Sequence, residues 1–268
     1  MNFSFLGFLK ELKERNSFLF NMGLFFLILF IWNLLMTVID NRLVGGYNAW
    51  LKPSRFAVSF AIFLISMGWY LIYLPISYRL IKLFSFLLGV VVFLEYNLIV
   101  FQAGRGISSH FNSFTFLDTF IFQMITILNV VIGFLVLIVF LCFMGKGVKL
   151  PMTYLWGIRL GLLVFLVSCA LGGLMIKLNS HSIGLESLGG GIPFLNWNEN
   201  GGDLRVSHLV GIHGLQIIPF FSWILHQMKE SWRIHFPLIW LLSITLIYFL
   251  FILYLLFEAL AGYSFLKL

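Results

Sequence analysis

Glu95 stands inside a predominantly apolar run, from Leu83 to Phe101, where a carboxylate has no ready access to water. An ionised acid at that depth costs several kcal/mol unless it is paired or protonated, so an intramembrane acid is a functional candidate by default. Its chemistry would be proton exchange, and we take Glu95 as the candidate catalytic acid or base. Arg55, Arg105, His208 and His213 are the partners that could neutralise it.

Three histidines suggest a second kind of chemistry. Imidazole is the commonest protein ligand for zinc, copper and haem iron, and His110, His208 and His213 are the candidate metal ligands. A metal ion or haem is the cofactor this would imply. His208 and His213 are five residues apart rather than the four that set two ligands on one helix face. They could share one centre only if the helix unwinds between them.

The remaining candidates would bind a small-molecule or lipid ligand: Arg55, Gln102, Arg105, Asp203, Arg205 and Gln216. A guanidinium fork suits a carboxylate or an anionic ligand, and Arg205 could face Glu95. Asp203 directly precedes an apolar run and is well placed to cap its helix.

Side chains on a helix are 100° apart, so residues seven apart lie within about 20° of one face. Glu95 and Gln102 therefore share a face, as do Asn33 and Asp40. Arg55, Ser59 and Ser66 form a stripe, and His213 lies beside Gln216. Gly211 and Gly214 would let another helix approach closely. Pro219 frees the carbonyl of residue 215.

The elements that must hold these residues are membrane spans. Apolar residues make up 61% of the chain, aromatic residues 18% and charged residues only 10%, with mean hydropathy +1.02. A soluble domain is about a quarter charged, so most of this surface faces lipid. A span takes about 20 apolar residues. The segments near 17–39, 55–76, 80–104, 118–143, 154–176, 206–226 and 237–262 qualify.

The expected fold is thus an all-α, polytopic membrane helix bundle of about seven transmembrane helices, forming one domain over 1–268. The stretch before Ser17 is short, amphipathic and basic. The run after it is too long for a cleaved signal core, so it reads as a retained first span. We find no internal repeat. Cys142 and Cys169 each lie in an apolar run and read as small buried hydrophobes.

Lys and Arg number ten on the N-terminal face and seven on the other, which predicts a cytoplasmic N-terminus and an external C-terminus. Three acids accompany the ten and seven accompany the seven, giving +7 and 0. The basic face suits anionic inner-leaflet lipid, as in a bacterial inner membrane. It calls for no nucleic-acid partner to explain a pI near 9.5. The external loop 177–205 is long and glycine-rich and is a candidate lid.

Three functions follow from the residues, in this order: a protein binding metal or haem, a membrane enzyme acting on a lipid-embedded substrate, and a small transporter or receptor with a Glu–Arg switch pair. A retinal Schiff base on the last helix is excluded, because that segment has no lysine before Lys267.

Overall fold

The computed structural model describes residues 5–185, 191–192, 194–232 and 235–265. Glu186, Arg233 and Lys267 of the charge count, and residues 186–190 and 193 of the candidate lid, lie outside the described residues. The chain is an all-α bundle: α1 (Phe5–Arg15), α2 (Ser17–Ile39), α3 (Leu51–Leu71), α4 (Tyr78–Arg105), α5 (Phe116–Met144), α6 (Met152–Leu178), α7 (Leu204–Ile212), α8 (Gly214–Trp232) and α9 (Pro237–Leu260). Two short antiparallel pairs accompany it, β1 (Leu43–Val44) with β2 (Tyr47–Asn48) and β3 (Ser182–Ile183) with β4 (Gly202–Asp203).

Helices α2, α3, α4, α5, α6 and α9 are each long and apolar enough to cross a membrane. Helices α7 and α8 meet at a 42° bend and make a seventh crossing if counted as one broken span. This is a multi-pass membrane protein. The expected span near 206–226 is therefore two helices, broken at His213.

Local sequence sets the helix ends. Asn16 Oδ1 accepts from the backbone N–H of Leu19 at 3.1 Å, and Asp203 Oδ1 accepts from that of Arg205 at 3.0 Å. These are N-caps, which satisfy donors that the first turn leaves without intrahelical partners. At the other end α4 stops at Gly106, whose φ of 73° lies in the left-handed region that glycine adopts without strain.

The chain divides into two compact units, Met1–Leu135 and Val136–Leu268, with the division inside α5. In the first, Phe26 is fully buried and meets the rings of Phe60 and Tyr96 edge-on at 5.7 and 5.2 Å. Asn33 donates to the Tyr96 hydroxyl at 2.6 Å, tying α2 to α4. The Arg15 guanidinium lies 3.8 Å over the Trp69 ring and anchors α1. Past α2, Asp40 takes the Arg42 guanidinium at 2.6 Å and the Trp50 indole N–H at 2.8 Å.

The second unit is built on small residues. A Cβ at Gly161 of α6 would lie 2.9 Å from Pro219 Cδ and 3.0 Å from the Gly214 carbonyl oxygen of α8. Gly157 abuts Ser222, Gly211 abuts Ser168, and Gly214 abuts Val164. Without a hydrophobic force between helices in lipid, close packing of this kind holds them together. The Tyr248 hydroxyl of α9 donates to the Val210 carbonyl one turn before the break.

Candidate functional site

Within the first unit, α4 and α5 run antiparallel and meet along a seam of three successive levels. Residues paired across it have numbers that sum to nearly the same value, as antiparallel neighbours must. At its deepest level Glu95 is 0% exposed. Its Oε1 accepts from Asn129 Nδ2 at 2.8 Å, and among the described residues Oε2 has no hydrogen-bond partner. Asn129 Nδ2 also donates to the Ile125 carbonyl at 3.0 Å. About 6 Å further along α4 comes an apolar layer of buried Ile99, Ile121 and Ile125, with Phe56 and Leu98 packed against it.

Beyond that layer, about 10 to 15 Å from Glu95 by helix rise, lies a polar clamp. Gln102 Nε2 donates to Asp118 Oδ1 at 3.0 Å. Arg105 Nη1 donates to Asp118 Oδ1 and to Gln102 Oε1, both at 2.6 Å. Thr115 donates to Asp118 Oδ2 at 2.7 Å. Asp118 is thus a buried carboxylate with a cation and two neutral donors, the environment in which a charge is stable. Glu95 has one neutral amide. An anion there would lack a countercharge within hydrogen-bond reach.

The expected arginine partner of Glu95 is therefore corrected to Asn129. Arg105 is committed to Asp118, and Arg205 to Asp203. Arg55 donates from Nε to the Leu51 carbonyl at 3.3 Å. Among the described residues Glu95 forms no pair with an arginine. Glu95 and Gln102 do share a face, as their spacing predicts, and both hydrogen-bond to α5.

His110 lies in the loop after α4, its ring 5.8 Å from that of Phe56 and 6.0 Å from that of Phe122. Its Nδ1 is 3.0 Å from the Ser109 hydroxyl. In the second unit, His208 Nδ1 donates to the Ser168 carbonyl at 2.8 Å. His213 Nδ1 is 3.2 Å from Gln216 Oε1, the contact their spacing predicts. The helix does break at His213, the condition for His208 and His213 to share a centre. Among the described residues, however, no group of three or more His, Cys, Asp or Glu side chains is placed to hold a metal. The metal expectation for His110, His208 and His213 finds no ligand set, because these imidazoles turn to nearby backbone and side-chain partners instead.

Asp203 is the α7 N-cap that its position predicts. Arg205 Nη2 donates to its Oδ2 at 2.6 Å, and the Asn198 N–H donates to the same oxygen at 2.8 Å. Burial would raise the Asp203 carboxyl, but the hydrogen bonds and charge of Arg205, with the Asn198 N–H and the nearby His181, hold it below the usual carboxylate range. Arg205 also donates to the Asn196 carbonyl at 2.6 Å, which fastens the end of the 177–205 loop to α7.

Asn129 is the residue that sequence reasoning missed. Its signal was present: it is a carboxamide near the middle of a 29-residue apolar helix, eleven residues from Asp118, which puts both on the α4-facing side. No family model, curated protein or solved structure matches this chain.

Proposed function

We propose that this protein is a proton-coupled membrane carrier in which Glu95 binds and releases the coupling proton. One observation carries the reading: Glu95 is fully enclosed and, among the described residues, its Oε2 has no partner and its Oε1 has only the neutral Asn129 amide. A carboxyl in lipid with that partner set changes its surroundings when it gains or loses a proton, whereas Asp118, already neutralised by Arg105, does not. Orientation by charge puts the Arg105–Asp118 clamp on the external side and the carboxyl below it. The reading keeps the transporter class inferred from the sequence and replaces its Glu–Arg pair by Glu95–Asn129. Metal and haem chemistry gain no ligand set among the described residues, and the other acid of the seam, Asp118, is already neutralised by Arg105.

Infrared spectroscopy of the reconstituted protein tests this directly. A carboxylic-acid C=O stretch that titrates between acid and alkaline pH and disappears in Glu95→Gln is the expected result. A wild-type spectrum with no pH-dependent band assignable to Glu95 would rule the proposal out.

A further inference from the structure

The surroundings of Glu95 differ with direction. Toward the clamp stands the layer of Ile99, Ile121 and Ile125 with Phe56 and Leu98. In the other direction along α4 lie Val92, Val91 and Leu88, all buried. Both routes are lined by buried apolar side chains. Sideways, the hydrogen-bond partner of Glu95 reaches the surface. Asn129, which holds Glu95 Oε1, is itself exposed on the flank of the first unit, beside exposed Ile127 and Val130. Its Nδ2 is used twice, toward Glu95 and the Ile125 carbonyl, while its Oδ1 accepts no hydrogen bond among the described residues. An open amide oxygen in a hydrocarbon setting is costly, and the same amide holds an enclosed carboxyl with an unused oxygen.

We infer that Glu95 is reached from within the bilayer, and that its proton partner is a small membrane-dissolved molecule carrying a weakly acidic, phenol-type hydroxyl group. The hydroxyl docks by donating to Asn129 Oδ1 and, once the amide swings aside, meets the carboxyl. The exchange is a plain proton transfer. The ligand O–H bond breaks as an O–H bond forms on ionised Glu95, leaving the ligand as its conjugate base, and the reverse step restores both. No oxidant or metal takes part. This rests on Glu95 as the proton-exchanging group and names the class of substrate that it serves.

Carbodiimides test the route independently of the chemistry. Such a reagent takes the proton of a carboxylic acid on one nitrogen, bonds the carboxyl oxygen to its central carbon, and rearranges to a stable N-acylurea that adds the whole reagent mass. The probes are dicyclohexylcarbodiimide, which partitions into lipid, and a charged water-soluble carbodiimide. Peptide mass spectrometry of the protein in vesicles reads the modification.

Lateral access predicts that the hydrophobic reagent modifies Glu95 and the water-soluble one does not. In Asn129→Ala the labelling rate rises about tenfold, while Ile121→Ala and Val92→Ala leave it unchanged. Asn129→Asp serves as a second variant should the alanine form fail to fold, and slows labelling by putting a carboxyl in the doorway. Modification by the water-soluble reagent, or acceleration by Ile121→Ala or Val92→Ala, would assign the route to the aqueous ends and overturn the inference. So would the absence of hydrophobic labelling in a protein whose Glu95 infrared band titrates. A missing infrared band with intact lateral labelling would instead remove only the coupling role of Glu95.

Discussion

The α4–α5 seam of the first unit and the α6–α8 packing of the second treat buried polarity in opposite ways. In α6, α7 and α8 the polar side chains are matched close to home. His208 has the Ser168 carbonyl, His213 has Gln216, and Ser168 and Ser222 donate to carbonyls of their own helices. Backbones there approach through Gly157, Gly161, Gly211 and Gly214. The α4–α5 seam holds its charges in two states instead: Asp118 saturated with donors, and Glu95 with an oxygen to spare. A polar group in a membrane span is thus not in itself a mark of function. Within the seam the unsatisfied acid is the informative one, because its cost is carried without a compensating contact.

Overpacking the second unit should have the largest effect. Gly161→Leu forces side-chain atoms into Pro219 and the Gly214 carbonyl, a cost of about 3 kcal/mol, seen as loss of folded protein or a lower melting temperature in detergent. Gly173→Leu is the control, since a Cβ there meets nothing within 4 Å. If both melt alike, small-residue packing is not what holds α6 to α8.

The clamp comes next. Arg105→Met leaves Asp118 buried without its cation and should cost about 2 kcal/mol, below the full penalty for a buried pair because 31% of the Arg105 side chain is exposed. Adding Asp118→Asn should recover part of the loss, and a double-mutant cycle of melting temperatures measures how much. An additive cycle would mean that the clamp is no more coupled than two surface residues.

The smallest effect is acid sensitivity outside the spans. The Asp40 carboxyl is held well below its ordinary value by the Arg42 guanidinium and the Trp50 indole N–H, and that of Asp203 is also lowered, with burial opposed chiefly by Arg205. A carboxyl depressed in the folded state adds stability that is whole above the unfolded pKa, about 3.9, and is lost as pH falls toward the folded value. Melting temperature should therefore fall below about pH 4. In Asp203→Asn the slope should be shallower; an unchanged slope would show that Asp203 is not among the groups responsible.

Sequence alone determined what is local or periodic. Span-length apolar runs fixed where the helices lie, because twenty residues at 1.5 Å each match the hydrocarbon core. Heptad spacing put Glu95 and Gln102 on one face, and the residue before an apolar run supplied the α7 cap. It could not decide partners. Asn129 is 34 residues from Glu95, and whether it or an arginine arrives there depends on the axial register of α5 against α4, which no local pattern encodes. For the same reason the histidines read as ligands until the fold set the Ser168 carbonyl beside His208 and the Gln216 amide beside His213. Hydrogen-bond satisfaction belongs to pairs of elements, so only the tertiary structure could separate the polar groups that are at rest, such as Asp118, from those that are not, Glu95 among them.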